Sequence, residues 1–221
     1  MHNLFNMENP TMQLLSKIAD MVILNLLFVL FSLPIVSIGA SFTALFSVTF
    51  KMTKEEGTPI CKTFWQAFLS NFKQSTLLWI GIAVLGVILS LNLRFALADG
   101  SVAGNLLKIA TLLAAIAFFM VVQYLFPYVA RFQDKTAVVI KNCLLLALAH
   151  LPGTVCCGLI VIVPIFLSFT SMSSLWFAIF AWTVIGISGI AYINSQIFLR
   201  IFAQYEPGDT KKSSNVTEEE G

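Results

Sequence analysis

Long uncharged apolar stretches dominate the chain and alternate with short polar connectors. Four of them are long enough to cross the hydrocarbon core of a bilayer, about 30 Å, as a helix that rises about 1.5 Å per residue. They are Thr76–Leu93, Leu106–Ala130, Cys143–Ser168 and Leu175–Leu199. The pattern therefore predicts an all-α protein built as a polytopic bundle of transmembrane helices.

The first apolar region, Met21–Phe50, contains no charged residue and is too long for one straight crossing. Pro34 lacks a backbone donor and disfavours helix at the residue before it, and Gly39 is free to turn. We therefore predict one helix over Thr11–Leu33, a turn around Pro34 and Gly39, and a short returning helix over Ser41–Met52. This hairpin gives six membrane segments, and a single kinked crossing, giving five, is the alternative.

The segment after this region has helical periodicity with one aromatic face. The aromatic residues of that face are Phe64, Trp65, Phe68 and Phe72. Polar side chains occupy the other positions, which is typical of an amphipathic helix lying in the membrane interface. Packing of this helix on the protein's own loops is the alternative.

Composition excludes a soluble globular protein. Of the 221 residues, 58% are hydrophobic and 11% are charged, against about 45–50% and about 25% in soluble domains. The mean hydropathy is +0.88. Membrane lipid is therefore the expected surrounding of most side chains.

The basic residues are distributed unevenly between the two predicted faces of the membrane. With six segments, only Arg94 and Lys108 of the 13 lysines and arginines fall on one side. Because basic residues mark the cytoplasmic side, both termini are predicted to be cytoplasmic. We expect a cytoplasmic segment at residues 1–10, one transmembrane domain at 11–204 and a disordered cytoplasmic tail at 205–221. The N-terminus lacks the features of a cleavable signal peptide.

One ionisable group lies clearly within a predicted span. His150 occurs in "KNCLLLALAHLPGTVCCGL" and is followed by Pro152 and Gly153, which predict a kink with unpaired carbonyl groups. His150 is interpreted either as a hydrogen-bonding residue between helices or as a proton relay or ligand contact. These three residues form a candidate intramembrane polar site.

Recognisable catalytic and metal-binding motifs are missing from the sequence. The four cysteines form no C-x-x-C pair and have no histidines at metal-binding spacing. No Walker loop or hydrolase motif is present, and the basic residues are too scattered for a nucleic-acid surface. We therefore expect no enzyme, no metal, no cofactor and no nucleic-acid partner.

Three segments together resemble the YesL-like family of uncharacterised bacterial membrane proteins. They are "LFSLPIVSIGASFTALFSVTFKM", "FWQAFLSNFKQSTLLWI" and "KNCLLLALAHLP". The resemblance implies a multi-pass protein of the bacterial cytoplasmic membrane, of a kind often encoded beside ATP-driven carbohydrate uptake systems. It implies no catalytic or ligand residues.

Two functions follow as hypotheses. The first is a non-enzymatic accessory to carbohydrate uptake, with a sugar permease or another membrane protein as its partner. The second is a small-solute transporter or channel with a site at the broken helices, where interrupted segments are typical of transporters. A homo-oligomer is possible in either case.

Overall fold

The computed structural model describes residues 10–57, 59–98 and 101–205, and every regular element in these ranges is helical. Six helical stretches are long and apolar enough to cross a membrane. The predicted all-α polytopic bundle is therefore confirmed. The α-helices are α1 (Pro10–Ser32), α2 (Ile38–Thr53), α3 (Ile60–Ala98), α4 (Val102–Arg131), α5 (Thr136–Ala149), α6 (Leu151–Ser168), α7 (Met172–Ala181) and α8 (Ile187–Ala203).

The first apolar region breaks at the predicted proline. Pro34 precedes a single 3₁₀ turn, Ile35–Ser37, and the hydroxyl of Ser37 lies 2.6 Å from the carbonyl oxygen of Phe31, which the break frees. Lys17, early in α1, forms an ion pair with Glu55, just after α2, so the chain returns. The turn is shorter than predicted, because Gly39 already lies in the first turn of α2.

Helix α2 is the most buried of the long helices and forms the centre of the bundle. Its phenylalanines pack against α8, where Phe46 meets Phe198 and Phe50 meets Phe202. Two hydroxyl pairs also join it to its neighbours. They are Thr43 with Ser75 of α3 at 2.8 Å and Thr49 with Ser195 of α8 at 2.7 Å.

Helix α3 runs without interruption for 39 residues. The predicted interfacial helix is therefore the first part of the same helix that contains the predicted span Thr76–Leu93. On this first part, Phe64 and Phe68 are buried against Phe31 of α1. The helix thus packs on the protein through Phe64 and Phe68, while the neighbouring Trp65 and Phe72 remain exposed, with the Trp65 ring also 5.4 Å from that of Phe31.

Two other predicted spans are also interrupted. The stretch Cys143–Ser168 divides at His150, whose backbone (φ −118°, ψ 48°) separates α5 from α6. A π-helical turn, Trp182–Gly186, joins α7 to α8 within the predicted span Leu175–Leu199.

A cluster of buried apolar side chains joins α1–α6 and α8. The predicted terminal segments, 1–10 and 205–221, lie almost wholly outside the described residues. The disordered tail accordingly stays a prediction.

Candidate functional site

Basic side chains gather at one end of the bundle, which we call the basic end. Contacts bring together there the end of α2, the start of α3, the end of α4 and the loop that follows it. The basic residues in these segments are Lys51, Lys54, Lys62, Arg131 and Lys135. Arg94 and Lys108 lie near the opposite end of the long α3–α4 pair.

The basic end contains a polar recess between α2, α3 and α4, with a volume of about 350 Å³. Three cationic side chains line it, namely Lys51, Lys54 and Arg131, together with one carboxylate, Glu56. Uncharged polar side chains complete most of the wall: Ser47, Thr63, Gln66, Ser70, Asn71 and Gln133. The lysines and Gln66 can donate hydrogen bonds to an anionic ligand, whereas Ser47, Ser70 and Asn71 already donate within their own helices.

The end of α2 explains how two lysines reach this recess. Glu55 adopts a left-handed backbone (φ 56°), and the N–H group of Glu56 bonds the carbonyl oxygen of Lys51 at 3.1 Å. A left-handed residue after the last helical turn ends helices in this way, although glycine is usual. Lys51 and Lys54, three residues apart, then lie on one face, beside carbonyl groups that favour positive charge.

The side chain of Glu55 does not line the recess, whereas that of its neighbour Glu56 does. The carboxylate of Glu55 accepts a hydrogen bond of 2.9 Å from Lys17, which lowers the pKa of Glu55. A lowered carboxyl pKa means that the pair stabilises the fold at neutral pH and that this contribution is lost as the pH falls through that pKa. Because the carboxylate of Glu55 pairs with Lys17, it does not neutralise the lysines of the recess.

A cluster of hydrogen-bonded polar side chains links the helices beside the recess. The hydroxyl of Tyr128 donates to Asp134 at 2.6 Å and accepts from Asn142 of α5 at 2.7 Å. Gln74 of α3 donates to the backbone carbonyl of Asp134 at 2.7 Å. Sequence patterns gave no signal for this cluster, because its members come from three helices and the loop between α4 and α5.

His150 lies at the α5–α6 break beside the end of α8. Its Nε2 atom is 3.2 Å from the hydroxyl of Tyr205, and the imidazole is partly exposed. Pro152 occupies the first turn of α6, where a missing N–H costs nothing. A side chain at Gly153 would meet Ile201 of α8.

A carbonyl group freed at this break, that of Ala147, is paired by Thr154. Its hydroxyl lies 3.0 Å from the carbonyl oxygens of both Ala147 and His150. Since one hydroxyl proton serves these carbonyls, the hydroxyl of Tyr124, at 2.9 Å, is the donor to Thr154. The sequence predicted unpaired carbonyl groups here but did not single out Thr154.

The two predicted helix breaks contact different helices. The Pro34–Gly39 region packs on α3, where a side chain at Gly39 would collide with Ser75 and Trp79. The Pro152–Gly153 region packs on α8. These contacts place the two breaks against separate partners rather than around a shared cavity.

Asn25 is a buried polar residue that the sequence did not single out. Its side chain donates to the carbonyl oxygens of Trp182 and Thr183, at 3.0 and 2.6 Å, and accepts from the N–H of Ser188 at 2.9 Å. These groups belong to the π-helical turn and the start of α8. Asn25 therefore supplies partners for backbone groups that the π turn leaves outside a regular α-helical ladder.

An exposed apolar strip runs along the first part of α3, at the edge of its buried face. It consists of Trp65, Leu69 and Phe72, which are 46%, 55% and 36% exposed. Their neighbours Phe64 and Phe68 face inward. We call these three residues the α3 strip.

Within the described ranges, no group of three or more histidine, cysteine, aspartate or glutamate side chains is arranged to hold a metal ion. The four cysteines are unpaired thiols, with Cys61 and Cys156 exposed and Cys143 and Cys157 buried.

Comparison with known proteins finds a family of unknown function. Residues 21–93, which contain most of α1, all of α2 and most of α3, match the family model described as "Protein of unknown function, DUF624". The chain is 31% identical over 130 residues to "Uncharacterized protein YteU" of Bacillus subtilis (strain 168), covering 58% of this chain and 58% of that relative. No solved structure gives a significant match. The chain is thus similar to an uncharacterised bacterial family, and the matched segment supplies α2 and α3 of the recess.

Proposed function

We propose that this protein is a non-enzymatic accessory to ATP-driven sugar import and that it belongs to the YesL-like group. It resides in the bacterial cytoplasmic membrane with its basic end in the cytoplasm. Its partner is a sugar permease or another membrane protein. The association with sugar import rests on the resemblance of the three sequence segments quoted above.

The α3 strip is the observation that supports a protein partner. Helix α3 has 39 residues and is about 58 Å long, nearly twice the thickness of a hydrocarbon core. Its uncharged part begins only after Lys73, so the preceding turns lie at the basic interface of the bilayer. Trp65, Leu69 and Phe72 are exposed there between Lys62 and Lys73. An apolar strip rimmed by charged residues fits the helix of another membrane protein at the same depth.

The non-enzymatic part of the proposal rests on the surroundings of the reactive side chains. His150 contacts Tyr205. The buried cysteines lie in the apolar core. Neither arrangement resembles a nucleophile held beside a general base.

Photo-crosslinking in the native membrane tests the proposal. A benzophenone amino acid replaces Leu69 in the α3 strip, and Leu113, which is 63% exposed on the far half of α4, is the matched control. We expect one discrete adduct with another membrane protein from Leu69 and only lipid adducts from Leu113. Adducts with lipid alone from both positions would refute a protein partner at the strip, and an adduct with a second copy of this chain would indicate a homo-oligomer instead.

The alternative function, a small-solute transporter or channel, relies on the two helix breaks. Because these breaks pack against α3 and α8 respectively, no described contact favours one solute site between them. We therefore give preference to the accessory role.

A further inference from the structure

We propose that the polar recess at the basic end is a binding site for a phosphate ester, either the headgroup of an anionic phospholipid or a soluble phosphorylated solute. The inference goes beyond the partner proposed above and does not depend on it, since it requires only the purified protein and the phosphate ester. It is carried by the charges of the recess, its uncharged donors and its position in the bundle.

The charged side chains that line the recess favour an anionic ligand. Lys51 and Lys54 line the recess with one carboxylate, Glu56, and the ion pair of Lys17 with Glu55 lies outside the cavity. Lys51 is only partly exposed, and neither Lys51 nor Lys54 has an ion-pair partner among the residues that the structure describes. A partly buried cation without an ion-pair partner is costly, and a bound anion reduces this cost for Lys51, while the exposed Lys54 adds electrostatic attraction.

The uncharged lining favours a phosphate group over a single carboxylate. The hydroxyl of Thr63 and the amide of Gln66 lie beside the cations as further donors, whereas the hydroxyls of Ser47 and Ser70 already donate to backbone carbonyl groups of their own helices. A phosphate ester has several strong acceptor oxygens and can use donors from more than one helix, whereas a carboxylate has two oxygens. The volume of about 350 Å³ lies at the lower end of the range of ligand cavities, roughly 300–1,000 Å³.

The position of the recess brings it to the level of lipid headgroups. It is bordered by the last charged turn of α2 and the end of α4, next to the apolar stretch of α3 that follows Lys73. Basic pockets between transmembrane helices on the cytoplasmic side bind anionic headgroups. A soluble phosphate ester reaches the same recess from the aqueous side.

The test uses the purified full-length chain and two probes. In the first arm, wild type in nanodiscs of phosphatidylcholine with phosphatidylglycerol is delipidated, and retained phosphatidylglycerol is measured by native mass spectrometry. In the second arm, glycerol 3-phosphate is titrated calorimetrically in detergent. The variants are Lys51→Gln with Lys54→Gln, and the control is Arg94→Gln with Lys108→Gln at the opposite end.

We expect at least one probe to bind wild type and the control equally, and to bind the recess variant about 30-fold more weakly, from about 1 kcal/mol per lysine. Binding of the lipid alone identifies a headgroup, and binding of glycerol 3-phosphate identifies a soluble ligand. Lys51→Arg with Lys54→Arg should restore binding, which excludes misfolding as the cause. Failure of both probes to bind wild type, or equal binding by the recess variant, would overturn the inference.

Discussion

At the scale of single residues, Gly39 shows how a small side chain permits helices to approach. Its Cβ position would collide with the backbone oxygen of Ser75 and lie 2.7 Å from Cβ of Trp79. Neither atom can move without shifting α3. We therefore expect Gly39→Ala to lower the free energy of unfolding by about 1–3 kcal/mol.

Gly81→Ala is the control, since an added Cβ there meets nothing within 4 Å. This variant should leave the free energy of unfolding unchanged or raise it by up to about 1 kcal/mol, because alanine favours a helix more than glycine does. Unfolding in mixed micelles measures both.

Asn25 is the other residue whose role depends on one side chain. It is 0% exposed and pairs with three backbone groups of the π turn and α8. Asn25→Leu leaves these groups unpaired, so we expect a loss of about 1–3 kcal/mol in the free energy of unfolding. The exposed Asn105→Leu is the matched control and should change little. Equal stability of the two variants would mean that the π turn pairs its backbone groups without Asn25.

At the scale of helices, Thr154 and His150 have different roles at the α5–α6 break. The hydroxyl of Thr154 bonds the freed carbonyl group of Ala147 and the hydroxyl of Tyr124, whereas the ring of His150 contacts Tyr205 just after α8. We expect Thr154→Val to lower the free energy of unfolding by about 1–2 kcal/mol and His150→Ala to change it by about 0.5 kcal/mol or less. The reverse order would contradict this assignment and favour His150 as the residue that stabilises the break.

The turn of the α1–α2 hairpin packs on the middle of α3, which limits the depth of the hairpin. Its turn lies against Ser75 and Trp79, close to Lys73. From Trp79 to Ala98, α3 rises about 28 Å, nearly the full hydrocarbon core. The turn should therefore stay near the basic side of the membrane, although α1 and α2 are long enough to cross it.

Thiol labelling in intact cells, on a cysteine-free background, tests this depth. An impermeant reagent should not label Val36→Cys, although this turn residue is 54% exposed in the protein. It should label Val102→Cys, which is 79% exposed at the opposite end, at the start of α4. Labelling of both positions would show that α1 and α2 each cross the membrane completely.

How far the sequence predicts these elements depends on whether the cause is local. Pro34 removes a backbone donor wherever it stands, and the break after α1 was therefore predictable, as was the break near Pro152. That α3 continues without a break from its first part into the predicted span was not predictable. The first part packs on Phe31 of another helix through Phe64 and Phe68, and no local pattern indicates that contact. The partners of Asn25 and Thr154 likewise come from distant helices or from the break itself, so no local pattern indicated them. The recess was missed for the same reason, since three helices supply its lining.

At the scale of the whole molecule, the uneven charge is the main constraint on orientation. The recess and the loop after α4 lie in segments rich in basic residues. Only Arg94 and Lys108 oppose them. Because lysine and arginine in short loops are retained on the cytoplasmic side, the basic end should face the cytoplasm. A shallow or a complete hairpin gives the same result, since both return the chain to the side on which it began.

Reporter fusions test this orientation directly. Green fluorescent protein, which folds in the cytoplasm, should fluoresce when joined after Gly221, and alkaline phosphatase joined there should be inactive. The phosphatase should instead be active when joined after Ala98, at the far end of α3. All the fusions contain the same membrane protein, so fluorescence of the green fluorescent protein fusion serves as the control for expression. An active phosphatase after Gly221 would place the recess outside the cell, where a cytoplasmic phosphate ester cannot reach it, and would leave an outer-leaflet lipid as its remaining ligand.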